Sequence, residues 1–578
     1  MNKFLRVDMR NQSIKIEEAP AKYQFMGGRR LISQLLLDEV DPTCEPLGRH
    51  NKLVIAPGLL GGTPAPCSGR LSVGGKSPLT GGIKESNSGG TAAAKLARLG
   101  YKAVIVEDQP QEGWYILKIN KDGATFLNGE NLLGLDSYEA CKRLREEHGE
   151  KIGIIIIGVA GERQYRLATC AVADPEGDPA RHAARGGMGA VMGSKKLKAI
   201  LVDDSGADDL QCADRDAFLA TSREWAKELA ATKTVMTELG TANLVLTTSA
   251  LGCLPTRNFS SGSFEKAENI SGQRMRKVIQ ERGGKTAHNC QRGCPIRCSN
   301  VYVDEEGNHL TSSLEYETLA LMGSNLGIDD LDAIAKIDRF CDGFGVDTME
   351  LGDAVGVAME AGIVPFGDVD GVMDLLQQLK EGTVTGRVLA QGTEIAGKVL
   401  GVRRVPVVKG QGISAYDPRA LKGTGVTYAT SPMGADHTAG NCLPGRTGYR
   451  ELTKESPDPC SAERQIEMSQ DLQILTAVCD YAGLCFFVGA ALPTAKRVAK
   501  LLRDRFGKEF SVNEVLEIAK DCIMTEVEFN RRAGITVADN RLPEFFSEEE
   551  LPPTGSKFDI DNKDLQTIFD NLSVEVEI

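Results

Sequence analysis

The chain has 578 residues, too many for one hydrophobic core, so about two to four domains are expected. With 41% apolar and 25% charged residues it has the make-up of an ordinary soluble globular protein, and its net charge of −13 argues against the basic face that a nucleic-acid partner requires. The longest apolar run, around Ile154–Ile157, falls far below the roughly 20 residues of a membrane span. MNKFLRVDMRNQSIKIEE at the start lacks the apolar centre of a signal peptide, so a cytoplasmic, reducing location is expected.

The first 205 or so residues read as β-rich. LVIAPGLLGG, RLSVGGKSPLTGGI, KAVIVED, GWYILKIN and KIGIIIIGVAG are strand-like runs bounded by turns, and SKKLKAILVDD reads as the last strand of this part. The composition then changes. DRDAFLATSREWAKELAATKTVMTELG has a helical pattern, as does most of the chain after it. DDLDAIAKIDRFCDGFGVD offers Asp329 or Asp330 as an N-cap, with Leu331, Ile334, Ile337 and Cys341 along one face. TMELGDAVGVAMEAG is a second helix, closed by Gly362 with Pro365 beyond it. The stretch from Gly412 to Arg446 is loop-rich, and the chain from about Glu463 reads as helix again. The expected class is α+β: a β-rich, sandwich-like domain over 1–205, then two mostly α-helical domains over 206–410 and 411–578. There is no solenoid-type repeat and no low-complexity segment.

Fifteen cysteines are many for a reducing compartment, where disulfides are rare and metal binding or catalysis explains clusters of them. Isolated ones, Cys67 among them, read as small buried hydrophobes. HNCQRGCPIRCSN is different. Cys290, Cys294 and Cys298 stand at C-x3-C-x3-C spacing and can cover three corners of a cubane iron–sulfur cluster, a distant cysteine taking the fourth. A structural zinc site would prefer a C-x2-C pair answered by another. A radical-type cluster would leave one iron open, and its usual spacing ends in x2.

A short motif occurs twice. Asp342 to Asp347 (DGFGVD) and Asp480 to Cys485 (DYAGLC) share the form D-x-x-G-[VL]-[DC]. A carboxylate can accept two parallel N–H bonds from the aminopyrimidinone edge of a pterin, and the glycine admits close backbone approach. Two copies suggest two pterins, and Cys485 could be the fourth cluster ligand. In the N-terminal part, SGRLSVGGKSPLTGGIKESNSGG and ARHAARGGMGAVMGSKK are glycine-rich and carry Arg70, Asn87 and Arg185, the elements of a phosphate cradle with a place for Mg²⁺. Neither is a Walker-type or dinucleotide-fold loop.

Together these stretches resemble the aldehyde ferredoxin oxidoreductase family. The likeness runs from FMGGRRLISQLLLDEVDP to EFNRRAGITVADNRLPE, through SPLTGGIKESNSGG, RGGMGAVMGSKKLKAI, CPIRC, EYETLALMGSNLGIDDLD and YATSPMGADH. The resemblance implies a β domain serving as base for a tungsten (or molybdenum) bis-pyranopterin, enclosed by two helical domains. It further implies one [4Fe–4S] cluster on Cys290, Cys294, Cys298 and Cys485. Asp342, Asp347 and Asp480, with Val346 and Leu484 of the same motifs, would hold the pterin edges. Arg70, Asn87, Gly89 and the turn Ala183, Ala184, Arg185 would hold phosphates and Mg²⁺. Glu317 and His437 would line the substrate pocket.

The implied reaction is oxidation of an aldehyde to a carboxylic acid, with Glu317 as general base and His437 as hydrogen-bond donor. Electrons would leave to ferredoxin or a ferredoxin-like subunit. Two departures are visible. The first cysteine spacing is x3 where well-known members have x2, which makes Cys290 the least secure ligand. Lys336 to Arg339 reads K-I-D-R where some members carry E-x-x-H to bridge two subunits through iron, so a homodimer is possible but not implied. Two other readings remain open: a related tungsten enzyme reducing aromatic acyl-CoA rings, and a non-catalytic iron–sulfur electron-transfer subunit.

Overall fold

The computed structural model describes residues 2–312, 314–570 and 572–576. Its N-terminal part is built twice on one plan. Strands β1 (Lys3–Asp8), β2 (Ser13–Glu18), β3 (Leu53–Pro57), β4 (Leu71–Lys76), β5 (Ile83–Ser88) and β6 (Tyr101–Glu107) form one sheet. Strands β7 (Tyr115–Asn120), β8 (Gly123–Asn128), β9 (Gly153–Ile156), β10 (Cys170–Val172), β11 (Arg181–Ala183) and β12 (Leu197–Val202) form the other. The orders are β2-β1-β6-β3-β4-β5 and, read from the matching edge, β8-β7-β12-β9-β10-β11. In each sheet the first two strands make an antiparallel hairpin and the sixth runs parallel to the first. Helices recur at matching points: Gly28–Glu39 and Ser137–His148 before the third strand, Ala92–Arg98 and Met188–Ser194 before the sixth. This is no solenoid, but it is a tandem repeat that the strand-by-strand reading passed over. Its trace is SGGTAAAKLARLGYKAVIVED against RGGMGAVMGSKKLKAILVDD.

The sheets pack face to face, and strand periodicity assigns the residues. Leu53 and Ile55 of β3 join Ile155, Leu117 and Ile200 between the sheets. The alternate residues Val54 and Ala56 meet Leu31, Ile32 and Leu35 of the helix Gly28–Glu39. In the second sheet Ile154 and Ile156 meet Ala140, Cys141 and Leu144 of Ser137–His148. Strands buried on both faces need unbroken apolar runs, which is why Ile154–Ile157 shows no alternation.

The rest of the chain is largely helical. Asp330 is the N-cap of Leu331–Phe344, accepting from the backbone N–H of Asp332 and Ala333. Thr348–Glu360 ends with Gly362 at φ +78°. The segment after residue 214 forms two helices, Arg215–Thr232 and Thr234–Leu239, broken at Lys233. The loop-rich stretch 412–446 contains one helix that the reading did not pick out, Lys422–Thr430, with all nine residues buried. Its sequence, KGTGVTYAT, is poor in helix formers, so propensity argues against it. Close packing decides instead: a Cβ on Gly425 would lie 2.6 Å from the Phe558 ring. The helices Gln465–Ala482, Leu492–Phe506 and Val512–Arg532 complete the C-terminal part. No helix of the described residues is long and apolar enough to cross a membrane.

Both D-x-x-G motifs are helix C-termini docked on the β base. Leu331–Phe344 ends at Gly345 (φ +83°) and Gln465–Ala482 ends at Gly483 (φ +80°). Each meets a glycine that directly follows the third strand of a sheet or lies two residues beyond it. A Cβ on Gly58 would lie 2.0 Å from the Gly483 nitrogen, and one on Gly158 would lie 2.2 Å from the Phe344 carbonyl oxygen. Main-chain hydrogen bonds lock both contacts: Leu59 and Leu60 N–H donate to Tyr481 and Ala482 carbonyls (3.0 and 2.8 Å), and Arg70 N–H donates to Gly483 (3.1 Å). On the other side Thr169 N–H donates to Gly345 and Asp347 N–H to Leu167, both at 3.0 Å. The duplicated base thus receives two helix ends in matching ways.

Candidate active site

Between the base and the helices lies a cavity of about 460 Å³. It brings together Arg70, Asn87, Gly89, Ala184, Arg185, Glu317, Asp342, Val346, Asp347, His437, Asp480, Cys290, Cys298 and Cys485. Three other sequence candidates stand apart from its lining. Ala183 lies in the core between the sheets, Leu484 is buried against the C-terminal helices, and Cys294 sits beside them.

The two motif carboxylates occupy different settings. Asp342 has the Tyr138 hydroxyl 3.2 Å from Oδ2 and His182 Nε2 3.0 Å from Oδ1. Asp480 is held at 3.1 Å by Arg29, whose guanidinium also grips Glu526 in a bidentate pair at 2.8 Å. Burial raises the Asp480 carboxyl to about 6 in spite of Arg29, and burial together with Asp480 raises Glu85 to about 7. Asp347 is already engaged on both oxygens. One caps Thr348–Glu360 through Met349 N–H at 3.0 Å, and the other lies 3.4 Å from Arg185 Nε.

Arg185 is buried and clamps the 412–435 segment onto the base. It donates to Ser414 Oγ at 3.0 Å and to the carbonyls of Ala435 at 2.8 Å and Gly412 at 2.5 Å. Its guanidinium is thus committed to protein acceptors, while Ala184 beside it faces the cavity. Arg70 holds Asn87 through both its side-chain and main-chain oxygens. A Cβ on Gly89 would lie 3.4 Å from both Arg70 Nη1 and Cys290 Sγ, so this residue stands between the phosphate-cradle candidates and the cysteines.

Cys290, Cys294, Cys298 and Cys485 gather from two distant segments: burial raises the Cys298 thiol and the other three raise it further, while Cys290 feels Cys294 and Cys485, and Cys485 feels Cys294. Four convergent thiols with no disulfide among the described residues form a donor set fit for an iron–sulfur cubane. Cys67 is buried, as its sequence reading has it, but it is not isolated. Its sulfur lies 3.7 Å from Cys294 Sγ, and its carbonyl accepts from Cys485 N–H at 2.9 Å. Its φ of +57°, unusual for a non-glycine residue, is the structural sign that this turn is specialised. In the K-I-D-R segment Lys336 is exposed, whereas the buried Asp338 accepts from Thr311 at 2.6 Å and the Arg339 guanidinium lies over the Tyr138 ring.

Glu317 stands in the turn Tyr316–Thr318, fixed by the Tyr316 hydroxyl donating to the Ala415 carbonyl at 2.6 Å. His437 follows Asp436, whose carboxylate caps the next turn through Thr438 and pairs with Lys84 at 3.0 Å. Burial alone would raise Asp436, but Lys84 and Arg185 hold it well below the usual carboxylate range. The His437 ring lies 5.4 Å from that of Tyr416. His437 Nε2 sits 2.7 Å from Glu317 Oε1, while Glu317 Oε2 and His437 Nδ1 are buried without a partner. Orphaned polar atoms on an acid–imidazole pair that lines a cavity are what a reactant bound there would satisfy.

Residues 4–204 match the family "Aldehyde ferredoxin oxidoreductase, N-terminal domain", and residues 219–572 match "Aldehyde ferredoxin oxidoreductase, domains 2 & 3". The chain belongs to the aldehyde ferredoxin oxidoreductase family. As a member it is an oxidoreductase. It is 35% identical to a tungsten-containing aldehyde ferredoxin oxidoreductase of Thermococcus kodakarensis, covering 96% of this chain and 93% of the relative. The like-named protein of Pyrococcus furiosus is 34% identical over the same shares. More distantly, the chain is 28% identical to the aliphatic sulfonate oxidoreductase, WOR-like subunit, of Pyrococcus furiosus, over 78% of this chain and 77% of that one. The active site complex BamBC of benzoyl coenzyme A reductase shares the fold, with a TM-score of 0.82 at 20% identity over 98% of this chain and 93% of that one.

The Glu317–His437 pair carries a pH signature. Burial disfavours the imidazolium, but Glu317 and Asp436 outweigh it, so His437 titrates above its ordinary value of 6.5. Since the folded value is the higher one, the pair's contribution to stability is fully present below about pH 6.5 and is lost as pH rises through the folded-state value. The difference in unfolding temperature between wild type and His437→Gln should therefore shrink as pH is raised from 6 to 9. A difference that grows with pH would refute the ion pair.

Proposed function

We propose that this oxidoreductase converts aldehydes to carboxylic acids, passing electrons to ferredoxin or a ferredoxin-like subunit. The observation that carries the reading is the Glu317–His437 pair, with one free acceptor and one free ring nitrogen, in the cavity that is also lined by Cys290, Cys298, Cys485 and residues of both D-x-x-G motifs. A tungsten (or molybdenum) bis-pyranopterin bound there would supply a two-electron acceptor, and a [4Fe–4S] cluster a one-electron exit. Asp342 and Asp480 would accept from the pterin edges. Arg70, Asn87, Gly89 and the turn at 183–185 would hold phosphates and Mg²⁺. Cys290, Cys294, Cys298 and Cys485 would ligate the cluster, with Cys67 beside it and not a ligand.

The chain's own residues then do the proton work. Glu317 Oε2 takes a proton from water or the aldehyde hydrate. His437, held through Nε2 by Glu317 Oε1, donates from Nδ1 to the carbonyl oxygen and stabilises its developing charge. The aldehyde and one water yield an acid, two protons and two electrons. Anaerobically purified protein is expected to contain about one W or Mo, two pterins and roughly four cluster irons per chain, and to oxidise aldehydes with a viologen acceptor. Cys67→Ala should keep its irons and Cys298→Ala should lose them. Iron without W, Mo or pterin, in cells supplied with tungsten, would remove the proposal.

A further inference from the structure

Five arginines and lysines line the cavity, and three are satisfied by the protein. Arg70 holds Asn87, Arg181 donates to Ser299 Oγ at 2.8 Å and to the Ser312 carbonyl at 2.5 Å, and Arg185 clamps 412–435. Lys233 and Arg446 are different. Neither has a side-chain hydrogen bond to protein or an ion pair among the described residues, and both are half-buried. Lys233 stands at the break between the helices Arg215–Thr232 and Thr234–Leu239, and Arg446 in the turn whose N–H donates to the Leu443 carbonyl at 3.1 Å. The two lie near enough that Arg446, after burial, is the next influence holding the Lys233 ammonium down.

Two like charges kept together in a partly dehydrated pocket are unfavourable unless an anion joins them. Lys233 also feels Cys485 and Cys67, and Arg446 feels Tyr416, whose ring lies 5.4 Å from that of His437. Both cations share the lining of one cavity with Cys485, Glu317 and His437. Phe486 lies 5.3 Å from the Arg446 guanidinium and, with Phe487, gives the same wall an apolar, aromatic surface.

We propose that Lys233 and Arg446 are a recognition pair for an anion, and that the preferred substrate is an aldehyde carrying a second, carboxylate group. This rests on the aldehyde-oxidising reading above. The aldehyde meets Glu317 and His437, the carboxylate joins Lys233 and Arg446, and the carbon frame lies along Phe486 and Phe487. Arginine suits the task because its planar fork matches a carboxylate, and because it stays charged when buried.

The test compares kcat/KM for 4-carboxybenzaldehyde with benzaldehyde, and for succinic semialdehyde with butanal, in wild type, Lys233→Gln and Arg446→Gln holoenzyme. Wild type should favour the anionic member of at least one pair by roughly 10-fold or more, and each variant should reduce that ratio by about 10-fold, chiefly through KM. Calorimetry on the same proteins should show terephthalate binding more tightly than benzoate in wild type only. Equal losses on charged and neutral aldehydes, with a shifted cluster midpoint potential, would assign the pair to the cluster and overturn the proposal. A wild type with no preference for the anionic aldehydes and no tighter binding of terephthalate would overturn it while leaving aldehyde oxidation intact. If no aldehyde is oxidised, the functional reading fails, and calorimetry still decides the anion site.

Discussion

Glu317→Gln is expected to lower turnover by roughly 100- to 10,000-fold, the usual contribution of a positioned general base, while metal and pterin content stay at the wild-type level. The substitution is nearly isosteric, so the turn Tyr316–Thr318 and the Tyr316 anchor on Ala415 should be retained. What it removes is the basic oxygen. Oε2 is buried without a partner, and Oε1 lies 2.7 Å from His437 Nε2. An amide can still accept from the imidazole with its one oxygen, but its other atom is then a nitrogen that cannot take a proton. The measurement is kcat with a viologen acceptor on protein of verified metal content. A variant retaining most of its activity would show that the base lies elsewhere. A variant lacking metal would show that Glu317 serves assembly.

The second large effect is expected at the glycine seams. Gly58→Ala would place a methyl group 2.0 Å from the main-chain nitrogen of Gly483. Backbone meets backbone there, so no flexible side chain can yield, and the strand end and helix end must separate. Overpacking of this kind costs about 1–3 kcal/mol and more where nothing can relax. The separation would also break the hydrogen bonds from Leu59, Leu60 and Arg70 that hold Asp480 and Cys485 in place. The expected result is a lowered unfolding temperature together with loss of bound metal. Gly158→Ala should behave alike, because its Cβ would meet the Phe344 carbonyl at 2.2 Å beside Asp342. Gly401→Ala is the control: it has φ +68° but nothing within 4 Å, so it carries only the left-handed backbone penalty of about 1–2 kcal/mol. A Gly58→Ala protein as stable and as metal-loaded as that control would mean that the seam does not position the site.

Much of the site was legible because its chemistry is local in sequence. Three cysteines within nine residues, two D-x-x-G copies and a glycine-rich loop with Arg70 and Asn87 can each be seen in a short window. The fold class was legible for a similar reason, since strand-length apolar runs stop near 205 and helical periodicity takes over. Other features left no such mark. Cys67 reads as one small buried residue among many, and its place 3.7 Å from Cys294 spans 227 positions of chain. Arg29 looks like the start of an amphipathic helix, yet it holds Asp480 from 451 positions away. The helix Lys422–Thr430 contradicts its own propensities and exists because its surroundings bury every residue.

By itself, then, the sequence determined which groups could hold a cluster, accept from a pterin or move a proton, because those capacities belong to side-chain chemistry. Tertiary structure alone decided which of them meet. Two sheets of the same topology present Gly58 and Gly158 in matching places, and each glycine admits one helix end. The D-x-x-G carboxylates are thereby carried to one cavity, together with Glu317, His437 and the unpaired cations Lys233 and Arg446. The physical reason is steric: only where neither partner has a Cβ can a helix terminus come close enough to bond its carbonyls to the end of a strand.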